Sequence, residues 1–245
     1  MTLWEEFLVI IETEIERYKE EEETDTLFFR GFSSNTHTLL PTLFREDEFK
    51  KKPILENNLY YDFVTNSAIL HPQNLISSWE ILYEMRHYGL PTRLLDWSEN
   101  FSVALFFALN GTKNTPCIWI LNPYTLNKKS FFKEEIILDV SKDSKMDYAD
   151  MFVDGVKKKF KNPIAIFPIK RNRRIFAQKG VFTVHGANKK PLEIICPECV
   201  KRFDISPEAI DGAKRFLRYA NVNEFSLFPD FDGLSRYLRK KHLNK

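Results

Sequence analysis

The residues best suited to chemistry lie between Arg86 and Leu109, where titratable and aromatic side chains surround one bend. Gly89 and Pro91 restrict the backbone there, so the polar side chains lie on a turn and not along one face of a long helix. Such a turn can direct several side chains toward one small ligand. The residues concerned are His87, Tyr88, Thr92, Arg93, Asp96, Trp97 and Ser98.

The same stretch also has a purely structural interpretation. Ser98 or Asn100 is a suitable N-cap, and the apolar residues Val103–Leu109 predict a buried helix after it. A cap does not require a His, a Tyr, an Arg, an Asp and a Trp within eleven residues. We therefore expect both a cap and a ligand site, with His87 as the histidine best placed to move a proton.

Arg30 is a second residue of interest, because it lies within the short aromatic run Leu27–Phe32 that predicts a buried strand, near its end. Burying an unpaired charge is costly, so this guanidinium must be paired, hydrogen-bonded or in contact with an anion. Gly31 permits the close approach of a ligand or of another backbone.

Charge is distributed unevenly along the chain. Residues 1–25 carry ten acidic and two basic side chains, whereas residues 157–192 carry eleven Lys or Arg and no Asp or Glu. This basic block suits phosphate-bearing partners, although neighbours such as the acidic N-terminal segment can neutralise it in the fold. The candidate nucleic-acid-binding residues are Lys157, Lys158, Lys159, Lys161, Lys170, Arg171, Arg173 and Arg174.

The elements that must position these residues can be read from periodicity. Helical spacing predicts helices over 2–22 and 53–86, and apolar runs predict strands at 117–121, 164–169, 181–184 and 194–195. We expect one domain over 1–245, with a helical insertion at about 53–86 and a variable excursion at about 125–160. Three cysteines, a charged N-terminus and the lack of a long apolar run predict a cytoplasmic protein without a membrane segment.

Four ordered motifs resemble the FRG domain family, which is named for a Phe-Arg-Gly signature. The resemblance covers roughly residues 24–240. The motifs are Phe29-Arg30-Gly31, the run from His87 to Ser98 with its following helix, the run from Arg174 to Phe182, and the run from Leu227 to Leu234.

The order of these motifs is also similar to that of ADP-ribosyltransferases. That resemblance implies an α+β fold with a split antiparallel β-sandwich core, N-terminal and inserted helices, NAD as the substrate and no metal. It assigns catalytic roles to Arg30, Asp96, Ser98 and Gln178. It assigns NAD binding to Arg30, Gly31, His87, Tyr88, Arg93 and Trp97.

The chemistry of NAD agrees with these assignments. A guanidinium such as Arg30 or Arg93 suits the pyrophosphate, and an aromatic ring such as Tyr88 or Trp97 suits the nicotinamide. Breaking the glycosidic bond develops oxocarbenium character, which a nearby carboxylate would stabilise. Gln178 stands where many of these enzymes have Glu, so Asp96 is the alternative source of that charge.

The resemblance implies an NAD-dependent ADP-ribosyltransferase, a bacterial toxin or anti-phage effector. The basic block favours nucleic acid as the acceptor, RNA before DNA or protein, and would also fit an acidic, helical antitoxin. Two alternatives remain open. One is a non-catalytic module that binds nucleic acid or a protein partner, and the other is an NAD glycohydrolase.

Overall fold

The computed structural model describes residues 1–22, 25–70, 77–111, 114–131, 137–140, 146–157 and 160–243. The α-helices in these ranges are α1 (Leu3–Glu22), α2 (Thr42–Arg45), α3 (Asp47–Lys51), α4 (Leu55–Ser67), α5 (Ser78–His87), α6 (Phe101–Leu109), α7 (Pro123–Phe131), α8 (Arg173–Ala177), α9 (Leu192–Ile195), α10 (Ile210–Tyr219), α11 (Glu224–Leu227) and α12 (Phe231–Leu243). The strands are β1 (Phe28–Phe32), β2 (Leu94–Ser98), β3 (Cys117–Leu121), β4 (Leu138–Asp139), β5 (Ile164–Phe167), β6 (Gly180–Val184) and β7 (Val200–Asp204).

The strands form one sheet with the order β4-β5-β6-β2-β1-β3-β7, and helices cover it, so the fold is α+β. Adjacent strands are antiparallel except β4 and β5, which are parallel. The strands form one mixed sheet, whereas the resemblance implied a split antiparallel β-sandwich core. A parallel pair requires a crossover connection, and the chain between β4 and β5 passes through a π-helix at Ala149–Val153.

Strands β1 and β2, at the centre of the sheet, have the fewest paired residues of any two adjacent strands. β1 and β2 share one paired position, Phe29 with Ser98. In contrast, β1 pairs with β3 at five positions and β2 pairs with β6 at five. The backbones of β1 and β2 diverge beyond that single pair, and a guanidinium N–H of Arg30 donates to the backbone carbonyl of Asp96 across the gap.

Helix α6 packs directly on β1, and Gly31 makes this possible. A Cβ atom at this position would lie 1.9 Å from the carbonyl oxygen of Ala104 and 2.6 Å from the backbone nitrogen of Ala108. Both are backbone atoms, so neither can rotate away. The glycine of the Phe-Arg-Gly sequence is thus required for close packing of strand and helix.

The C-terminal part of the sheet differs from the sequence-based expectation. Ile194 and Ile195 were expected in a strand but lie in the short helix α9. The strand follows instead at Val200–Asp204, on the edge of the sheet beside β3. Cys196 and Cys199 form a disulfide between these two elements. Within the described ranges, no helix combines the length and the apolar character needed to cross a bilayer.

Candidate active site

A cavity of about 590 Å³ opens where β1 and β2 diverge. Its volume falls within the range of small-molecule sites. Strands β1, β2 and β6 contribute to its walls, together with helices α5, α6 and α8. The polar side chains around it are those of Arg30, Ser33, His37, Arg45, Tyr83, Arg86, His87, Asp96, Ser98, Arg174 and Gln178.

The charge of this cavity is strongly one-sided. Four guanidinium groups line it, and Asp96 is the one acidic side chain among its described lining residues. Guanidinium groups bind phosphate oxygens through paired, charge-assisted hydrogen bonds. The arrangement suits a ligand with more than one negative charge. The four residues are Arg30, Arg45, Arg86 and Arg174.

Asp96 is held by two of these arginines. The Nε of Arg86 donates to both carboxylate oxygens of Asp96, at 3.0 and 3.2 Å, and the Nη1 of Arg30 lies 3.6 Å from Oδ2. Burial alone would raise the pKa of Asp96, but the charges of Arg86 and Arg30 outweigh burial and lower this pKa below its usual value. Asp96 is therefore an ionised carboxylate whose charge is largely compensated.

Arg86 is fixed in turn by Thr42, whose hydroxyl accepts from the Arg86 Nη1 at 2.9 Å. The charge of Asp96 raises the pKa of Arg86. Helix α2 thereby supports helix α5 at the cavity, and the Arg86 guanidinium is held in one orientation by partners on two elements. A preorganised guanidinium loses less entropy when it binds an anion.

Arg30 lies deeper, with its guanidinium 4.7 Å from the centre of the Phe32 ring. Burial and the charges of Arg86 and Arg45 lower the pKa of Arg30 to about 10, although Asp96 opposes this effect. Its Nε is buried and has no hydrogen-bond partner among the described residues. The same is true of the Tyr83 hydroxyl, which lines the same cavity. Buried polar groups are normally paired, so two donors at this site lack the acceptors that a ligand would supply.

Ser98 and Gln178 are brought together at the far end of β2. The Ser98 hydroxyl donates to the backbone carbonyl of Gln178 at 2.7 Å and accepts from the backbone N–H of Asn100 at 3.0 Å. The Gln178 side-chain amide donates to the carbonyl of Leu227 at 3.0 Å. The second, third and fourth sequence motifs thus meet at this point. The Ser98 hydroxyl proton and one amide donor of Gln178 are already engaged by the protein.

The remaining residues predicted to bind NAD divide into two groups. Gly31, His87 and Trp97 line the cavity, and the Trp97 indole N–H donates to the Thr183 hydroxyl at 3.1 Å. Burial and the charge of Arg174 lower the pKa of His87, so its imidazole is neutral at pH 7. Tyr88 does not line the cavity. It is 72% exposed and packs edge-on against His87.

Arg93 was predicted to bind NAD, but it lies outside the cavity. Its side chain is buried in an ion pair with Glu56 of α4, with 2.6 Å between the Arg93 Nε and the Glu56 Oε1. Its Nη1 donates to the carbonyls of His185 and Gly186, at 2.7 and 3.0 Å. The Tyr148 hydroxyl completes the network by donating to Glu56 at 2.7 Å. Arg93 does not line the cavity, because its guanidinium is held by Glu56 and by the His185 and Gly186 carbonyls.

In the folded protein, acidic residues from other parts of the chain lie next to the basic block. Lys157 pairs with Asp150, Lys170 with Glu99 and Arg171 with Glu80, all at 2.6–2.8 Å. Acids from distant parts of the sequence therefore compensate charges that look uncompensated along the chain. The acidic helix α1 supplies an acid to a different part of the chain, since its Glu14 pairs with Lys201 of β7.

The other predicted members of the block are dispersed. Lys161 and Arg173 are exposed, and Arg174 lines the cavity. Lys158 and Lys159 lie outside the described residues.

Several cavity residues were not predicted as site residues, among them Arg45, Tyr83, Arg86 and Phe182. The Tyr83 and Phe182 rings stack with 5.1 Å between their centres and form an aromatic wall. Tyr83 and Arg86 lie one turn apart on α5, and this spacing was visible in the sequence. What the sequence did not reveal is which face of α5 meets the sheet.

Comparison with known families gives one finding. The FRG domain matches residues 25–116. This match supports the family predicted from the motifs for this part of the chain, which is less than half of its length. The match includes Arg30 and the run from His87 to Ser98, whereas the third and fourth motifs lie beyond it. No curated protein and no solved structure matches the chain.

Proposed function

We propose that this protein is an NAD-dependent ADP-ribosyltransferase that acts from the cytoplasm as a bacterial toxin or anti-phage effector, with nucleic acid, RNA before DNA or protein, as the acceptor. The observation that carries the proposal is that three adjacent strands place the three motifs around one cavity. β1, β2 and β6 bear the Arg30, Asp96–Ser98 and Gln178 motifs, lie side by side in the order β6-β2-β1, and border one cavity. A split sheet of the ADP-ribosyltransferase type would explain the single pairing between β1 and β2.

The electrostatics of the cavity support a dinucleotide as the ligand. The pyrophosphate of NAD would be bound by Arg30, Arg45 and Arg86, which converge on one end of the cavity. The unpartnered Arg30 Nε and Tyr83 hydroxyl would donate to its oxygens. The aromatic wall of Tyr83 and Phe182 offers a surface for a ring of the ligand.

The reaction breaks the bond between the nicotinamide nitrogen and ribose C1′, and the bonding electrons leave with neutral nicotinamide. The acceptor forms the new bond to C1′ and loses one proton. His87 lines the cavity as a neutral imidazole, so it is the group we assign to take that proton. The ionised Asp96 would stabilise the developing positive charge, in the role that Glu has in related motifs.

A second candidate function rests on a specific observation. The Asp96 charge is compensated by Arg86 and Arg30, and Gln178 donates to Leu227. A site in which the charge of the Asp96 carboxylate is neutralised by arginines can bind NAD without cleaving it. A binding module would then recognise the dinucleotide without turnover, whereas an NAD glycohydrolase would release nicotinamide without labelling any macromolecule.

The test uses the purified full chain with NAD labelled in its adenylate part, incubated with total RNA, DNA or lysate protein. We expect nicotinamide release and label in the RNA fraction. Arg45 is the best residue to vary, because it is exposed and its hydrogen bond is local, to the Thr42 hydroxyl on the same helix. Arg45→Gln should reduce nicotinamide release about 10- to 150-fold, which corresponds to the loss of a charge-assisted hydrogen bond worth about 1.5–3 kcal/mol.

Arg218→Gln is the matched control, since Arg218 is exposed on α10 and lines neither cavity. It should behave as the wild type. If the wild-type chain releases no nicotinamide and labels no fraction, the transferase proposal is wrong. Binding of NAD without release would favour the second candidate function.

A further inference from the structure

A second cavity, of about 660 Å³, lies beside the first and shares Arg174 with it. It is formed by the end of α6, by α11 and by one face of α12. Arg236, Arg239 and Lys240 follow Asp232 at spacings of four, seven and eight residues, so they share that face. The lining residues are Phe106, Asn110, Arg174, Glu224, Phe228, Asp230, Asp232, Arg236, Arg239 and Lys240.

Phe228 connects the two cavities physically. Its ring is contacted by two guanidinium groups, with 4.5 Å to the Arg174 carbon Cζ and 4.9 Å to that of Arg236. The preceding residue, Leu227, holds Gln178 at the first cavity. The fourth sequence motif thus has a position between the cavities, and Arg174 can contact ligands in both.

The acidic residues of the second cavity are partly engaged. Glu224 pairs with Lys240 at 2.9 Å, and Asp230 accepts from the backbone N–H of Gly233 at 2.7 Å. This leaves Arg174, Arg236 and Arg239 as its principal cationic groups and Asp232 as an exposed carboxylate. A nucleotide presents both complementary features, since its phosphates suit guanidinium groups and the exocyclic amino group of its base suits a carboxylate.

An exposed aromatic residue lies in the chain between two residues that line this cavity. Phe231 lies between Asp230 and Asp232 in the chain and is 89% exposed. An apolar ring of this size in water costs free energy, and a stacked base would cover it. Aromatic platforms beside cationic grooves are the usual means of binding single-stranded nucleic acid. Helix α12 also carries four Lys or Arg residues against one Asp.

We propose that the second cavity binds the single-stranded RNA acceptor, with Arg174, Arg236 and Arg239 contacting phosphates and Phe231 stacking on a base. This inference rests on the proposed function for its purpose, because an acceptor bound there would lie next to the NAD cavity. Of the basic block it retains Arg174, whereas Lys157, Lys170 and Arg171 of that block pair with acids.

The experiment measures binding of a labelled single-stranded RNA of about 12 nucleotides to the full chain by fluorescence anisotropy, in the absence of NAD. The variant Arg236→Glu/Arg239→Glu should weaken binding at least 10-fold. It should also reduce the slope of log affinity against log salt concentration by roughly 1.4, the value for two lost phosphate contacts. Lys214→Glu/Arg215→Glu on α10 makes the same change of charge outside both cavities and should have little effect.

A second pair of variants tests stacking. Phe231→Ala should weaken RNA binding roughly 5-fold or more, whereas Tyr219→Ala, which removes another ring that is 83% exposed, should not. Equal losses in the two charge-reversal variants, equal losses in the two aromatic variants, or no RNA binding by the wild type would each overturn the proposal. Because no NAD is present, the result is independent of nicotinamide release. RNA binding without release would refute only the transferase function.

Discussion

Replacing Arg93 with Met should destabilise the protein strongly. The side chains of Arg93 and Glu56 are 4% and 8% exposed. In the variant, the Glu56 carboxylate would stay buried with the Tyr148 hydroxyl as its remaining side-chain donor among the described residues. Breaking one side of such a pair costs about 3–5 kcal/mol. That is a large part of a total stability of roughly 5–15 kcal/mol.

Denaturant unfolding measures this loss, and calorimetry should show a decrease of roughly 6–20 °C in Tm for a chain of this size. The double variant Glu56→Leu/Arg93→Met removes both charges and should recover a substantial part of the loss, so that the two single effects are far from additive. Arg171→Met is the surface control. Its pair with Glu80 has an Arg side chain that is 72% exposed, and its loss should cost at most about 1 kcal/mol.

The same variants decide between two roles for Arg93. If Arg93→Met kept its stability and lost affinity for NAD or pyrophosphate, Arg93 would be a ligand-binding residue, as the sequence first suggested, and the assignment to a structural network would be wrong. If the double variant were as unstable as the sum of the single variants, the ion pair would carry no coupling energy.

Two further predictions follow from packing and burial. Gly31→Ala should cost several kcal/mol in denaturant unfolding, because the new Cβ would lie 1.9 Å from a backbone oxygen of α6. Gly111→Ala, where a Cβ meets open space, should cost only backbone strain of about 1 kcal/mol; equal effects would contradict this account. Burial and the charge of Arg93 lower the pKa of His185 to about 3, so the unfolded chain takes up this proton first as the pH falls below about 6.5. Stability should therefore decrease by up to about 1.4 kcal/mol per pH unit between pH 6 and pH 4, and His185→Leu should show a shallower decrease than the wild type.

The first three motifs were informative because each coincides with a strand or lies close to the start of one. Arg30 lies in β1, Asp96 in β2 and Gln178 two residues before the start of β6. Apolar strands flanked by turn residues can be recognised locally. Helix α6 was equally clear, and Asn100 caps it by accepting from Ser102. The family match over residues 25–116 agrees with the first two motifs.

The differences have two physical causes, which are contacts between residues distant in sequence and local patterns that are weak or misleading. Arg93 meets Glu56 because α4 packs beside the turn before β2, and no local pattern reveals that partner. The strand Val200–Asp204 was missed because Lys201, Arg202 and Asp204 are exposed on an edge strand, which weakens its apolar signal. Ile194 and Ile195 have strand propensity, but Pro191 before them begins a helical turn.

Because β1 and β2 share a single paired position, thermal unfolding of the protein should be a sensitive measure of ligand binding between them. A ligand that contacts Arg30 on one side and Phe182 or Gln178 on the other would fasten together two parts of the sheet that share one backbone pair. A ligand that binds only the folded state raises the free energy of unfolding by about 2.7 kcal/mol when its concentration is 100 times Kd. A thermal-shift screen of nucleotides, pyrophosphate and nicotinamide can thus rank the chemical parts of the natural ligand before any reaction has been observed.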